Sequence, residues 1–187
     1  MNNNYHFACN QQIWLADLNF GKRMHNIAIQ HYKKIWGNDL KIEDMNGNEL
    51  DKKFSIDFII TDQLKQKIHL QEKFQRQEYS MFDTITIEYY SNIDHKILGA
   101  FFKMNIDYYI MGYATQNESD FEKLIILKWT AFKEWIRNNF TEEQIKKQLR
   151  ENKEHGRASL LWIPINQIPE DIILYNYNIN KELKEWM

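Results

Sequence analysis

A single cysteine, Cys9, leaves the chain of 187 residues unable to close an internal disulfide and fits a reducing compartment. No window approaches the roughly 18 uninterrupted apolar residues of a membrane-spanning helix. The start, MNNNYHFACN, has neither the basic segment nor the long apolar segment of a secretory leader. A soluble, cytoplasmic protein without membrane partners is therefore expected. Lys and Arg nearly balance Asp and Glu, and a formal net charge of -2 gives no overall attraction to nucleic acid. Any such ligand would need a local basic cleft. The chain has no internal repeat, no linker rich in Pro or Gly, and no low-complexity tract beyond Asn2 to Asn4. It has no C-x-x-C and no H-E-x-x-H, which leaves a zinc site with little to stand on. The absence of G-x-G-x-x-G, P-loop and G-x-S-x-G motifs counts against nucleotide-cofactor and serine-hydrolase chemistry. No Lys/Arg stripe with interleaved aromatics points to generic single-strand binding.

Packing groups are plentiful. Apolar residues make up 43% and aromatics 14%, despite a mean hydropathy of -0.66, so one well-buried core is expected. The expected organisation is a single domain over 1–187, with an irregular N-terminal arm at about 1–13 and a tail at about 165–187. Met24, Ile27, Ala28, His31 and Ile35 recur near a helical turn and predict a helix over 22–36, stopped at Gly37 and Asn38. Asn46-Gly47 is a turn signal, read as a hairpin tip. Strands are predicted over 54–60, 67–76, 84–90, 106–113 and 159–163, the fourth apolar enough to be covered on both faces. Leu124, Leu127, Ala131 and Trp135 predict a long helix over 121–138. Thr141 with Gln144 forms a capping box that opens another helix, to about 154. This order predicts an α/β fold with a mixed sheet of four to five strands flanked by helices.

The chemistry is expected in residues 54–76, FSIDFIITDQLKQKIHLQEKFQR. Asp57 interrupts an apolar run, and a carboxylate in mid-strand needs a reason. At an exposed position, a bond to a neighbouring backbone amide is reason enough. Side chains alternate along a strand, so Gln71 and Lys73 share a face while Glu72 points away. With Asp57 opposite them, a carboxylate, an amide oxygen and an ammonium converge. Those groups suit metal-assisted phosphodiester hydrolysis. Magnesium takes hard oxygen ligands, and the amine places or deprotonates the attacking water or pairs with a phosphate oxygen. A register shifted by one would substitute Glu72 as the ligand and turn Gln71 and Lys73 toward the core.

This arrangement resembles the PD-(D/E)xK nuclease superfamily. Its common core is a helix followed by a mixed four-stranded sheet, with an Asp closing one strand and an acid-x-Lys triplet on the next. Asp57 matches the first acid and Lys73 the lysine, at a separation of 14 residues between Asp57 and Gln71. Gln71 stands where most members carry Asp or Glu, and Ile56 where they carry proline. The resemblance spans roughly residues 17–135 and implies a restriction-endonuclease-like core. It implies a magnesium-dependent endodeoxyribonuclease of the type II restriction kind. Such an enzyme acts as a homodimer on a short double-stranded site, leaves a 5′-phosphate, and can have a cognate methyltransferase. Asp57, Gln71 and Lys73 would be catalytic, with Asp57, Gln71 and Asp17 near the first helix as metal ligands. Gln75, Arg76, Lys103 and Arg157 are the candidate DNA contacts, with His69 and His155 behind them, and Asp83 at the start of the third strand is a candidate to enter the same cleft or simply a turn residue. A structure-specific repair, recombination or phage nuclease is the nearest alternative. An inactive DNA-binding module of the same fold is the other.

Overall fold

The computed structural model describes residues 3–152 and 158–179. Helix α1 (Asn3–Trp36) buries a stripe of Phe20, Met24, Ala28 and Tyr32, each four residues after the last. It ends at Gly37, whose φ of +95° favours glycine and whose N–H bonds Lys33 O at 3.0 Å. The irregular arm expected at about 1–13 is thus corrected, because from residue 3 the chain is already helical. No Gly or Pro precedes Gly21 to interrupt the helix.

Strand β1 (Lys41–Asp44) follows, then α2 (Glu49–Phe54), β2 (Phe58–Thr61) and β3 (Lys67–Gln75). The Asn46-Gly47 turn feeds α2 instead of tipping a hairpin. The side chain of Asn48 caps that helix by accepting from Leu50 N at 2.8 Å and Asp51 N at 3.1 Å. Next come β4 (Thr84–Asn92), β5 (Ile97–Leu98), α3 (Ala100–Lys103), β6 (Tyr108–Ala114) and β7 (Phe121–Lys128). Then α4 (Trp129–Asn139), α5 (Glu142–Gln148), β8 (Leu149–Asn152), β9 (Ala158–Pro164) and β10 (Ile173–Asn178) complete the described chain.

The architecture is mixed α/β, with two sheets and flanking helices where one sheet of four to five strands was expected. A six-stranded sheet runs β1-β2-β3-β6-β7-β10, and a four-stranded sheet runs β5-β4-β9-β8. Among the described residues only the β3–β6 pairing is parallel; the chain reaches β6 by way of β4, β5 and α3. One face of the large sheet packs on α1 through Phe58, Ile60, Leu70, Ile110 and Ile126. The other packs on the small sheet, α3 and α4, where Tyr109, Met111, Ile125 and Leu127 meet Ile85, Ile87, Leu161 and Ile163. The hydroxyl of Tyr109 donates to Thr86 O at 2.7 Å and that of Tyr113 to Thr84 O, tying the two sheets together.

Two further expectations are corrected. The first half of the helix predicted over 121–138 is β7, which forms a hairpin with β6. Leu124 to Leu127 are buried on both faces of the sheet, and such a run does not distinguish strand from buried helix. The expected tail at about 165–187 contributes β10, which covers the β7 edge. Its residues from 180 onward lie outside the described residues. No described helix is long and apolar enough to cross a membrane.

Candidate functional site

A cleft of about 1030 Å³ is lined by α1, by β3 and the residue preceding β2, and by β4, β8 and β9 of the small sheet. Asp57 is among its lining residues. The backbone of Asp57 prolongs the β2 pairing, with its N–H on Leu70 O at 2.9 Å and its C=O accepting from Met45 N at 2.8 Å. Its side chain is therefore fixed next to β3. There Oδ2 accepts from Gln71 Nε2 at 2.7 Å and from the Glu72 N–H at 2.9 Å. Burial pushes this carboxyl up to about 7, the loss of hydration outweighing both hydrogen bonds. Gln71 Oε1 is buried with no hydrogen-bond partner. Lys73 is exposed and lines the same cleft as Asp57.

Glu72 occupies the opposite face of β3, as strand alternation demands. It points at α1, where Tyr32 donates its hydroxyl to Oε1 at 2.6 Å and His25 Nδ1 lies 2.9 and 3.0 Å from the two carboxylate oxygens. Burial, and then the Glu72 charge, push the Tyr32 hydroxyl well above its ordinary range.

The other sequence-predicted residues divide. Asp17 lines the cleft but pairs with Arg76 at 2.9 Å, so its carboxylate serves a guanidinium. Arg76 also lies over the Phe20 ring, 4.7 Å from its centre. Gln75 is half-buried and lines the cleft. Lys103 ends α3 and does not line it. Arg157 and His155 lie outside the described residues. Asp83 pairs with Lys123 at 2.6 Å, and His69 bonds Asp107 at 3.0 Å.

Sequence reasoning missed His25, Tyr32, Arg150 and Trp162 as cleft or network residues. A signal existed for two of them. His25 and Tyr32 are seven residues apart, two helical turns, and so share one face of α1. Nothing local marked Arg150 or Trp162, because the small sheet brings them in.

The cleft is not basic. Asp17, Asp44, Asp57, Glu72 and Glu151 outnumber Lys22, Lys73, Arg76 and Arg150. Among the described residues no group of three or more His, Cys, Asp and Glu side chains is arranged to hold a metal ion. A hard cation nonetheless fits what is present. Among the described residues Asp57 Oδ1 takes no hydrogen bond, and Gln71 Oε1 is an oxygen without a donor. Magnesium is commonly held by one or two carboxylates, with water and phosphate oxygens completing its shell. The fold and cleft define a mixed α/β protein with a cleft lined by α1 and by both sheets. No protein-family profile, curated protein or solved structure matches the chain.

Proposed function

We propose that the chain is a magnesium-dependent endodeoxyribonuclease resembling the PD-(D/E)xK superfamily, acting on double-stranded DNA at a short specific site and leaving a 5′-phosphate. The observation that carries the reading is that Asp57 and Lys73 line one cleft, with Gln71 bonded to Asp57. The run of α1 followed by β1-β2-β3-β6, antiparallel twice and then parallel, also agrees with a helix preceding a mixed four-stranded core. Asp57 and Gln71 would hold the cation, which when bound neutralises phosphate charge and activates water. Lys73 places the attacking water or pairs with a phosphate oxygen, while Gln75 and Arg76 continue β3 toward the DNA backbone.

A two-fold homodimer belongs to the same proposal. Ile93, Ile97, Leu98 and Phe102 are exposed apolar side chains around the β5 edge of the small sheet and supply a surface for it. A single-chain mass in sedimentation equilibrium at micromolar concentration would remove the dimer.

The test is cleavage of supercoiled plasmid with magnesium, comparing wild type with Asp57→Ala and Lys73→Ala. Discrete fragments, reduced at least about 100-fold in rate by each substitution, are expected. Absence of cleavage with magnesium or manganese would refute the enzyme. Two observations favour the second reading, a DNA-binding module without catalysis. Gln71 presents its amide nitrogen to Asp57, and no cluster of acids forms among the described residues. Retention of uncut duplex in a mobility-shift assay is its signature.

A further inference from the structure

The His25–Glu72–Tyr32 network has no part in the chemistry assigned so far. The His25 ring lies flat on Phe58, with centroids 3.7 Å apart and planes 10° apart. Its Nδ1 faces both Glu72 oxygens, and Tyr32 holds Glu72 from the other side. The Glu72 side chain is 5% exposed and that of His25 14%. A carboxylate that deep is costly without partners, so the ring and the acid stabilise each other. The ring is thus fixed in plane by stacking and in rotation by the carboxylate. A carboxylate at Nδ1 keeps the proton there and leaves Nε2 as the working nitrogen. Among the described residues Nε2 has no hydrogen-bond partner, and His25 lines the cleft that holds Asp57 and Lys73.

We propose that His25 is a catalytic residue, the acid that protonates the departing 3′-oxygen, with Glu72 and Tyr32 as positioning residues. This rests on the nuclease reading above. In-line displacement at phosphorus puts the attacking and leaving oxygens on opposite sides. Lys73 and Glu72 are neighbours on β3 and point to opposite faces, so His25 comes to the cleft from the α1 side and Lys73 from the other. A water oxygen forms the new P–O bond and its proton leaves on the Lys73 side to solvent. The P–O3′ bond breaks, its electron pair stays on O3′, and the imidazolium form of His25, with one proton at Nδ1 facing Glu72 and one at Nε2, gives the Nε2 proton to that oxygen. The neutral imidazole then regains a proton from solvent. The products are a 5′-phosphate and a 3′-hydroxyl.

The test compares an ordinary oligonucleotide duplex, at the position wild type cuts, with the same duplex carrying a 3′-bridging sulfur there. A thiolate leaves without protonation. With manganese as the metal, His25→Asn, which keeps a donor for Glu72, should cut the oxygen substrate about 100-fold more slowly and the sulfur substrate within about 3-fold of wild type. Glu72→Gln should lose about 10-fold on oxygen and recover on sulfur in the same way. The ratio between the two substrates does not depend on how much variant is folded, so a folding defect cannot imitate the result. Equal losses on both substrates, or no loss on either, overturn the acid role. A wild type that cuts neither duplex instead removes the nuclease reading, and the proton donor with it.

Discussion

Asp57 carries a conflict between stability and the proposed chemistry. Burial raises its carboxyl to about 7 from an ordinary value of 3.8, so the fold prefers it protonated. That preference stabilises the fold fully below pH 4 and is lost as pH rises through 7, and by linkage it amounts to no more than about 4 kcal/mol. Asp57→Asn retains an oxygen for Gln71 Nε2 and the Glu72 N–H while removing the charge. In metal-free buffer the variant should therefore exceed wild type in urea-denaturation stability at pH 8, by a few kcal/mol at most, and match it near pH 4. Magnesium should raise the wild-type midpoint at pH 8 and leave that of Asp57→Asn unmoved. Equal midpoints at pH 8 without metal would show that Asp57 is solvated in the folded state. Asp57 stood out in the sequence because it interrupts an apolar run, and Lys73 because strand alternation sets it on one face with Gln71. For His25, Tyr32 and Glu72 the seven-residue spacing sets the first two on one face of α1, but a helix residue and a strand residue 47 positions apart meet only after α1 lies on the sheet.

Among the elements, those governed by local chemistry were readable and those governed by pairing were not. Thr141 and Gln144 form the capping box that their spacing announces, with Thr141 Oγ1 accepting from Gln144 N at 3.3 Å and Gln144 Oε1 from Thr141 N at 2.8 Å. Thr141→Ala should cost about 1 kcal/mol, read as faster amide exchange over α5. Unchanged exchange there would show that packing against β9 holds the helix without its cap. β7 is the counter-example. Its Leu-Ile-Ile-Leu run satisfies a helical stripe as well as a doubly covered strand, and hydrogen bonds to β6 and β10 decide between them. The Asn46-Gly47 turn was correctly placed, but the helix after it depends on Asn48 as a cap.

Over the whole molecule, the cleft forms where α1 and the two sheets meet. Tyr109 and Tyr113 rise from the most buried strand, β6, and donate their hydroxyls to the backbone of β4. Burial raises both hydroxyls above their ordinary range, so they remain donors at every working pH. Tyr109→Phe with Tyr113→Phe leaves two β4 carbonyls without these donors and should cost about 2–4 kcal/mol in one cooperative unfolding transition. Two separate transitions would mean that the small sheet unfolds on its own. If the nuclease proposal holds, the same pair should lower activity more than its stability loss explains, because Thr84 and Thr86 line the cleft.

The amino-acid sequence alone determined the apolar stripe of α1, the period-two strand that sets Gln71 and Lys73 on one face, and the cap of α5. Each follows from interactions within a few residues. Tertiary structure decided that there are two sheets, that 121–128 is a strand, that the chain after 165 returns to close an edge, and that Arg76 faces Asp17. These depend on which surfaces become buried against each other, a free energy of long-range burial and pairing that no short window of sequence contains.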